Sequence, residues 1–465
     1  MMIQINPKTP QAYKLLHDGS LALARAEQQG IRVDMVYAEK KKQYLTRKIE
    51  HLEIQFRNTK FFRHWEHTVK SKVNINSNQQ LANFLYGTKK LEPAHLTTSG
   101  MGSTDEEALL QLNIPELNDL LEIRKLKKVK DTYLDGFMRE QVNGYVHPSF
   151  NLHIPVTFRS SSSRPNLQNV PIRDEEAMQT VRGALYPRPG HQLLEVDYSG
   201  LEVKIIACYS QDSNLLKYTC DPTSDIHGDM AKQLFLLDKF DKSEPSHKIL
   251  RSAAKNGFIF PEFYGDYYKN CAAGLVSWGK LFQGKWKTGQ GIKMPEDHLA
   301  DHLISKGIKS YKQFEDHVKD IEDDFKNNRF PDHIHWEKRW WETYQKYGYI
   351  DLKTGFRCSG VMNRKHIVNY PVQGAAFHCL LWAFIELDRI MQKEKWKSKL
   401  IGQVHDSIIF DIFPDELHEV ARIIKRVTCE DLPAAWDWII VPLSIDADIC
   451  PVDGSWADKK SFVLN

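Results

Sequence analysis

The chain has 465 residues, 42% of them hydrophobic and 26% charged. It exceeds the roughly 250–300 residues at which one hydrophobic core stops growing, which excludes a small binding module and calls for several cores. Lys and Arg number 63 against 60 Asp and Glu, a formal surplus of +3, so any nucleic-acid surface is local rather than a uniform basic coat.

No apolar run reaches the roughly 18 residues of a membrane span. Residues 1–18 lack the apolar block of a signal peptide, so a cytoplasmic location with no membrane partner is expected. Seven scattered cysteines without a Cys-x-x-Cys pair read as reduced packing residues.

In chain order, residues 38–55 and 115–133 carry apolar residues three and four apart, as in Leu117, Leu120, Leu121 and Ile123, and predict long exposed helices. Residues 96–105 between them read as a loop, with Ser103 to Glu106 capping the next helix. From 143 to 190, short apolar runs broken by Pro, Ser and Asn predict strands and turns. An apolar strand then ends at Asp197. Residues 213–342 read as helical and end in a Trp-rich part whose tryptophans are assigned to core. The acidic run at 322–324 reads as a solvated helix face, and His333 and His335 as a chance pair. A helix is expected over 375–393, and residues 401–413 read as strand, turn, strand with His405 and Asp406 at the bend.

Two acids at strand ends, Asp197 and Asp406, are the chemical signal. Carboxylates held rigidly on different strands can share divalent cations, the protein half of two-metal phosphoryl transfer. Either alone is more often a turn residue. Arg251 and Lys255, four apart, share a helix face and suit a triphosphate, although most such pairs are solvated.

Together these blocks resemble the polymerase region of family A DNA polymerases, the DNA polymerase I type. Asp197-Tyr-Ser-Gly-Leu-Glu-Val-Lys is similar to the family's motif A, DYSQIELR. The resemblance implies a metal ligand at Asp197, a backbone carbonyl ligand at Tyr198 and, at Glu202, the gate that excludes ribonucleotides. Residues 251–265 resemble motif B, RxxxKxxxFxxxYG, which makes Arg251 and Lys255 triphosphate ligands, Lys255 also catalytic, and adds Tyr264 to the nucleotide site. Here one residue is extra and Pro261 sits within the helix, so a bulge or early helix end is expected. Ile259 or Phe260 then stacks on the incoming base, with Phe260 preferred. Gln403-Val-His-Asp-Ser resembles motif C, VHDE, and implies a second metal acid at Asp406 and a primer-terminus contact at His405. Ser407 stands in place of the family's glutamate.

Further blocks carry the likeness along nearly the whole chain. Residues 157–171 resemble TGRLSSxxPNLQNIP and imply DNA contacts by Arg159, Gln168 and Asn169. Asp225-Ile-His implies a phosphate contact at His227, and Asn369-Tyr-Pro-Val-Gln-Gly-Ala places Asn369 and Gln373 near the terminal base pair. Lys125, Lys127, Lys128 and Lys130 are candidates to track the duplex backbone.

The implied fold class is α+β, a right hand with an antiparallel-sheet palm and helical thumb and fingers. The expected division is an N-terminal palm segment at 1–30, thumb at 31–140, palm with motif A at 141–211, fingers with motif B and an insertion at 212–347, and palm with motif C at 348–465. The implied function is template-directed addition of dNTPs to a primer 3′-OH, with two Mg²⁺ ions, or Mn²⁺ as substitute, and primer-template DNA as partner. No proofreading exonuclease is expected in the chain; a separate exonuclease, primase/helicase or processivity factor would be a partner. The wording of 258–265 suggests a bacteriophage-like member, acting in the host cytoplasm. The alternatives are a single-subunit RNA polymerase, whose motif C often reads HDS, and an inactive polymerase-like DNA-binding subunit. Glu202 and residues 165–169 argue against the first, and retention of Asp197, Asp406, Arg251 and Lys255 against the second.

Overall fold

The apolar run before Asp197 forms the strand Gln192–Tyr198, the middle of a five-stranded sheet. The structure, a computed structural model, describes residues 3–69, 72–97, 99–157, 159–172 and 174–464. The sheet order is Lys399–Val404, Ser407–Ile412, Gln192–Tyr198, Ile445–Ile449 and Lys460–Phe462, with every neighbouring pair antiparallel. The two-residue period of a strand sends alternate side chains to opposite faces. Leu194, Val196 and Tyr198 enter one core, with Ile408 and Phe410 from the adjacent strand. Leu193 enters a second core with Ile401 and Ile409, so Glu195 and Asp197 fall on that second face.

The first core also takes in the buried face of the 30-residue helix Arg364–Lys393, which begins well before the expected position 375. Pro371 interrupts the helical pattern in the sequence, since proline lacks an N–H and costs about 3 kcal/mol in a helix interior. Burial of Ile367, Val368, Pro371 and Val372 outweighs that cost, and an Asn363–His366 capping box starts the helix. The helix Pro10–Gln29 packs across it, close enough that a Cβ on Gly19 would lie 2.8 Å from Leu381. Arg25 grips Asp388 through Nε at 2.9 Å and Nη2 at 2.5 Å.

The second core is built on the helices Met35–Arg57 and Pro115–Lys127, whose buried stripe is Leu117, Leu120, Ile123 and Leu126. The second helix continues to Leu134 as a wider π turn. The segment 96–105 holds one isolated bridge, and Asp105 caps the next helix through Ala108 N–H. Three of the four lysines named on this helix already have acidic partners: Lys125 with Glu122 and Asp174, Lys127 with Glu53, and Lys130 with Asp131. Lys128 is exposed.

Residues 212–347 are chiefly helical around a cluster of Phe258, Phe263, Phe325 and Phe330. Trp286 and Trp336 are buried, as core tryptophans should be. Glu322 differs from the solvated reading: it is buried, because Lys326 bonds it while also reaching Glu262 at 3.0 Å. His333 is buried too, 3.1 Å from Glu337. All seven cysteines are free.

Candidate active site

The site forms where three strand ends meet the helix that follows motif A. Asp197 pairs with Ser407 on one side and with Asp446 on the other. Asp406 precedes Ser407 in the turn, so two acids from remote parts of the sequence stand side by side at the ends of neighbouring strands. Tyr198 N–H donates to the Asp406 carbonyl at 3.4 Å. The Tyr198 ring is buried in the core. The Asp197 carboxyl is pushed up to about 6 by partial desolvation and then by the Asp406 charge, while the Ser407 hydroxyl, donating at 3.1 Å, opposes the rise.

The turn itself is held from inside. His405 adopts φ 51°, a left-handed conformation that costs a non-glycine residue about 1–3 kcal/mol and persists only when its surroundings impose it. The imposing group is Gln403, fully buried, whose amide nitrogen donates to the His405 carbonyl. Gln168 Nε2 in turn donates to Gln403 Oε1 at 2.8 Å and to Ser160 Oγ at 2.7 Å, and Ser160 bonds Gln403. Gln168 therefore faces this buried network. Asn169 beside it is exposed, with its carbonyl taking the Tyr133 hydroxyl, and the His405 side chain is also exposed. Gln403 escaped the sequence reading as a site residue, although a polar residue within an apolar strand was its visible signal.

Arg159 spans two acids, with Nη2 3.4 Å from Asp406 Oδ1 and 3.5 Å from Glu202 Oε1. Glu202 stands in the first turn of the helix Leu201–Ser210 and accepts the Tyr264 hydroxyl at 2.7 Å on its other oxygen. Burial raises the Glu202 carboxyl, Arg159 opposes the rise and Asp406 adds to it. Arg159, Asp406, Glu202 and Tyr264 thus form one continuous chain of contacts.

Across the cleft, the extra residue of motif B is absorbed by a π turn at Lys255–Ile259, after which the short helix Phe260–Phe263 carries Pro261 at its start. The bulge buries Ile259 completely and leaves Phe260 half-buried. Phe260 stacks on Tyr264 at 6.1 Å and 9°, with the Lys255 ammonium 5.6 Å from its ring centre. The Lys255 charge also acts on Asp197 and Glu202, lowering both carboxyls.

Arg251 is held by Asp225 in a fork, Nε to Oδ2 and Nη2 to Oδ1 both at 2.9 Å. Asp225 also caps the helix Ile226–Leu234 through Gly228 N–H at 3.1 Å. Sequence reading quoted this aspartate without giving it a task. Burial pushes the Asp225 carboxyl up, but Arg251, Gly228 N–H and Lys242 outweigh it and hold the group at about 2. His227 is buried, and its Nδ1 has no partner among the described residues. Burial, then the Arg251 and Lys255 charges, lower it to about 3, so its ring is neutral near pH 7. Asn369 and Gln373, four apart on the helix Arg364–Lys393, share one face, and Asn369 Oδ1 is buried without a partner among the described residues.

The residues of motifs A and C thus meet at the ends of neighbouring strands; Tyr264 of motif B bonds Glu202, and the Lys255 charge acts on Asp197 and Glu202. Arg251 and His227 lie together around Asp225. The donor set at Asp197 and Asp406 is hard oxygen from carboxylates whose mutual repulsion a cation would relieve, which suits a divalent ion.

A family model described as DNA polymerase family A matches residues 42–457. Among curated proteins the chain is similar to DNA polymerase I of Chloroflexus aurantiacus, 27% identical over 84% of this chain and 38% of the relative. It is also similar to the thermostable DNA polymerase I of Thermus filiformis, 29% identical over 95% of this chain and 47% of the relative. The chain thus spans less than half the length of these relatives. Among solved structures, the POL domain of Pol1 from M. smegmatis, in complex with DNA primer-template and dNTP, has the same fold, with a TM-score of 0.72 at 23% identity over 95% of this chain and 70% of that one.

Proposed function

The chain belongs to DNA polymerase family A, and from that premise we propose that it is a template-directed DNA polymerase adding dNTPs to a primer 3′-OH. The observation that carries the proposal is the adjacency of Asp197 and Asp406 at the ends of neighbouring strands, with the Lys255 charge acting on Asp197. These acids are the groups to hold two divalent ions, Mg²⁺ or Mn²⁺, with the Tyr198 carbonyl beside them. Bound there, the ions would supply charge neutralisation at the transferring phosphoryl group and a more acidic primer hydroxyl.

The residues of the chain perform the rest. Arg251, Lys255 and His227 bind the triphosphate, the neutral His227 ring donating to a phosphate oxygen through the ring nitrogen that carries its proton. Phe260 stacks on the incoming base, since Ile259 is spent on the core. Glu202, fixed by Tyr264, crowds the sugar 2′ position. Arg159, Asn169, Asn369, Gln373 and His405 line the path of the terminal base pair, where minor-groove acceptors common to all pairs test geometry without reading sequence. Gln168 acts from behind, through Gln403, on the turn that carries His405. Palm (1–30, 141–211 and 348–465), thumb (31–140) and fingers (212–347) are the proposed divisions. A phage origin rests on the wording of 258–265 alone.

A single-subunit RNA polymerase has the Ser407 signature in its favour, but the Glu202–Tyr264 bond builds a barrier that such an enzyme does not need. Primer extension with dNTPs against rNTPs tests the choice. Efficient extension with dNTPs is expected, and preferential use of rNTPs would overturn it.

A further inference from the structure

Residues 279–309 form a lobe at the outer end of the helical region that carries motif B. The lobe leaves the helix Tyr268–Trp278 at Gly279, whose carbonyl accepts from Ile292 N–H at 3.1 Å. His302 Nε2 fastens it to the carbonyls of Phe235 and Leu236, both at 3.1 Å.

Inside the lobe, apolar and basic residues alternate. Leu281, Trp286, Ile292 and Met294 are buried, and their immediate neighbours Lys280, Phe282, Lys285, Lys287 and Lys293 are exposed. Extended backbone sends such neighbours to opposite sides, so packing the apolar set inward turns the lysines out. Trp286 N–H donates to the Lys309 carbonyl at 3.2 Å, which brings Lys309 alongside Lys285 and Lys287. Residues 279–295 contain four lysines and no acid, and the lobe has six lysines to three acids, a surplus equal to the +3 of the entire chain. Among the described residues of the lobe the one lysine in an ion pair is Lys306, with Asp238.

An ordinary solvated face intersperses the two signs. Asp301 accepts the N–H of Gly289, within the run 279–295, at 2.7 Å but pairs with none of the described lysines of the lobe, and unpaired like charges cost self-repulsion unless a polyanion covers them. Phe282, 51% exposed among these lysines, adds a ring on which an unstacked base can lie, the combination by which proteins hold single strands without reading sequence. A duplex has no free base face to offer that ring. The helix Tyr268–Trp278 starts just after Tyr264 and Gly265, and its 11 residues span about 16 Å at about 1.5 Å each. Each strand of a duplex advances about 3.4 Å per phosphate and an unstacked single strand more, so at most about five nucleotides cover that distance.

We propose that the lobe binds single-stranded DNA, taking the template 5′ overhang within about five nucleotides of the templating base on Lys280, Lys285, Lys287, Lys293 and Phe282. The proposal rests on the polymerase reading above.

Fluorescence anisotropy of primer-templates with a short overhang (about 2 nucleotides) and a long one (about 15) across a salt series tests it. Wild type should bind the long overhang more tightly. Replacing the four lysines together (K280A, K285A, K287A, K293A) should erase that difference and make the log–log salt slope on the long overhang shallower by about 3, from about 0.7 per phosphate contact. The four arginine replacements should restore it, and Phe282→Ala should weaken the long overhang while keeping the slope. An unchanged slope on the long overhang, or an equal loss on both lengths, would overturn the proposal. Absence of extension by wild type on the short-overhang substrate would instead count against the polymerase reading.

Discussion

Ser407 lies directly across the sheet from Asp197 and donates its hydroxyl to Asp197 Oδ1 at 3.1 Å. The residue that departs from the family's motif C is therefore bonded to the motif A acid through one of its two carboxylate oxygens. Removing that bond frees the carboxylate to rotate. Ser407→Ala should lower kcat about fivefold, the kinetic equivalent of about 1 kcal/mol, and raise the metal concentration for half-maximal extension. Ser407→Thr should retain both values. Steady-state extension across a Mg²⁺ series checks this.

Glu202 owes its position to Tyr264, which bonds one oxygen while Arg159 approaches the other. Glu202→Ala should reduce discrimination against ribonucleotides by at least about tenfold. Tyr264→Phe should produce a smaller shift in the same direction, because the carboxylate loses its anchor but keeps its bulk. Competitive incorporation of one dNTP against its rNTP reads both.

Asp225 predicts the acid limb of stability. Its folded value of about 2 lies below the ordinary 3.8, so its contribution is complete above about pH 4 and is lost as the pH falls through 2. The shift corresponds to about 2 kcal/mol. Asp225→Asn should lose that contribution at neutral pH and unfold with a flatter dependence between pH 4 and 2, as followed by tryptophan fluorescence.

Arg182 is buried beneath the sheet, with its guanidinium 4.2 Å from the Trp456 ring centre and Nη1 3.2 Å from Glu195. Glu195 also accepts Trp456 Nε1 and Lys459 Nζ, each at 2.9 Å. Arg182→Ala leaves Glu195 with Trp456 and Lys459 as its remaining partners and should cost about 1–3 kcal/mol in urea denaturation. Combining Arg182→Met with Glu195→Gln should cost less than the sum of the two single changes.

The strand that ends at Asp197, the turn at His405 and Asp406 and the bulge around Pro261 were legible because each is a local pattern: an apolar run, a hairpin or a misplaced proline. The early start of the helix Arg364–Lys393 was not, since the cost of Pro371 is local and its compensation by burial is tertiary. Glu322 misled for the same reason: its i+4 partner Lys326 is visible in the sequence, but the buried Glu262 that shares Lys326 is brought there by the fold. At the site, the resemblance to motif B pointed to Arg251 and Lys255, whose spacing alone fits a solvated face as well. The tasks of Asp225, Gln403 and Ser407 emerged only with their contacts, because a hydrogen bond between remote segments leaves no periodic trace.

The central claim is that Asp197 and Asp406 act as a pair. Primer extension by wild type, Asp197→Ala and Asp406→Ala in Mg²⁺, with primer-template binding followed in parallel by anisotropy, tests it most directly. Both variants should lose extension while still binding DNA; unimpaired synthesis by either one would contradict the account.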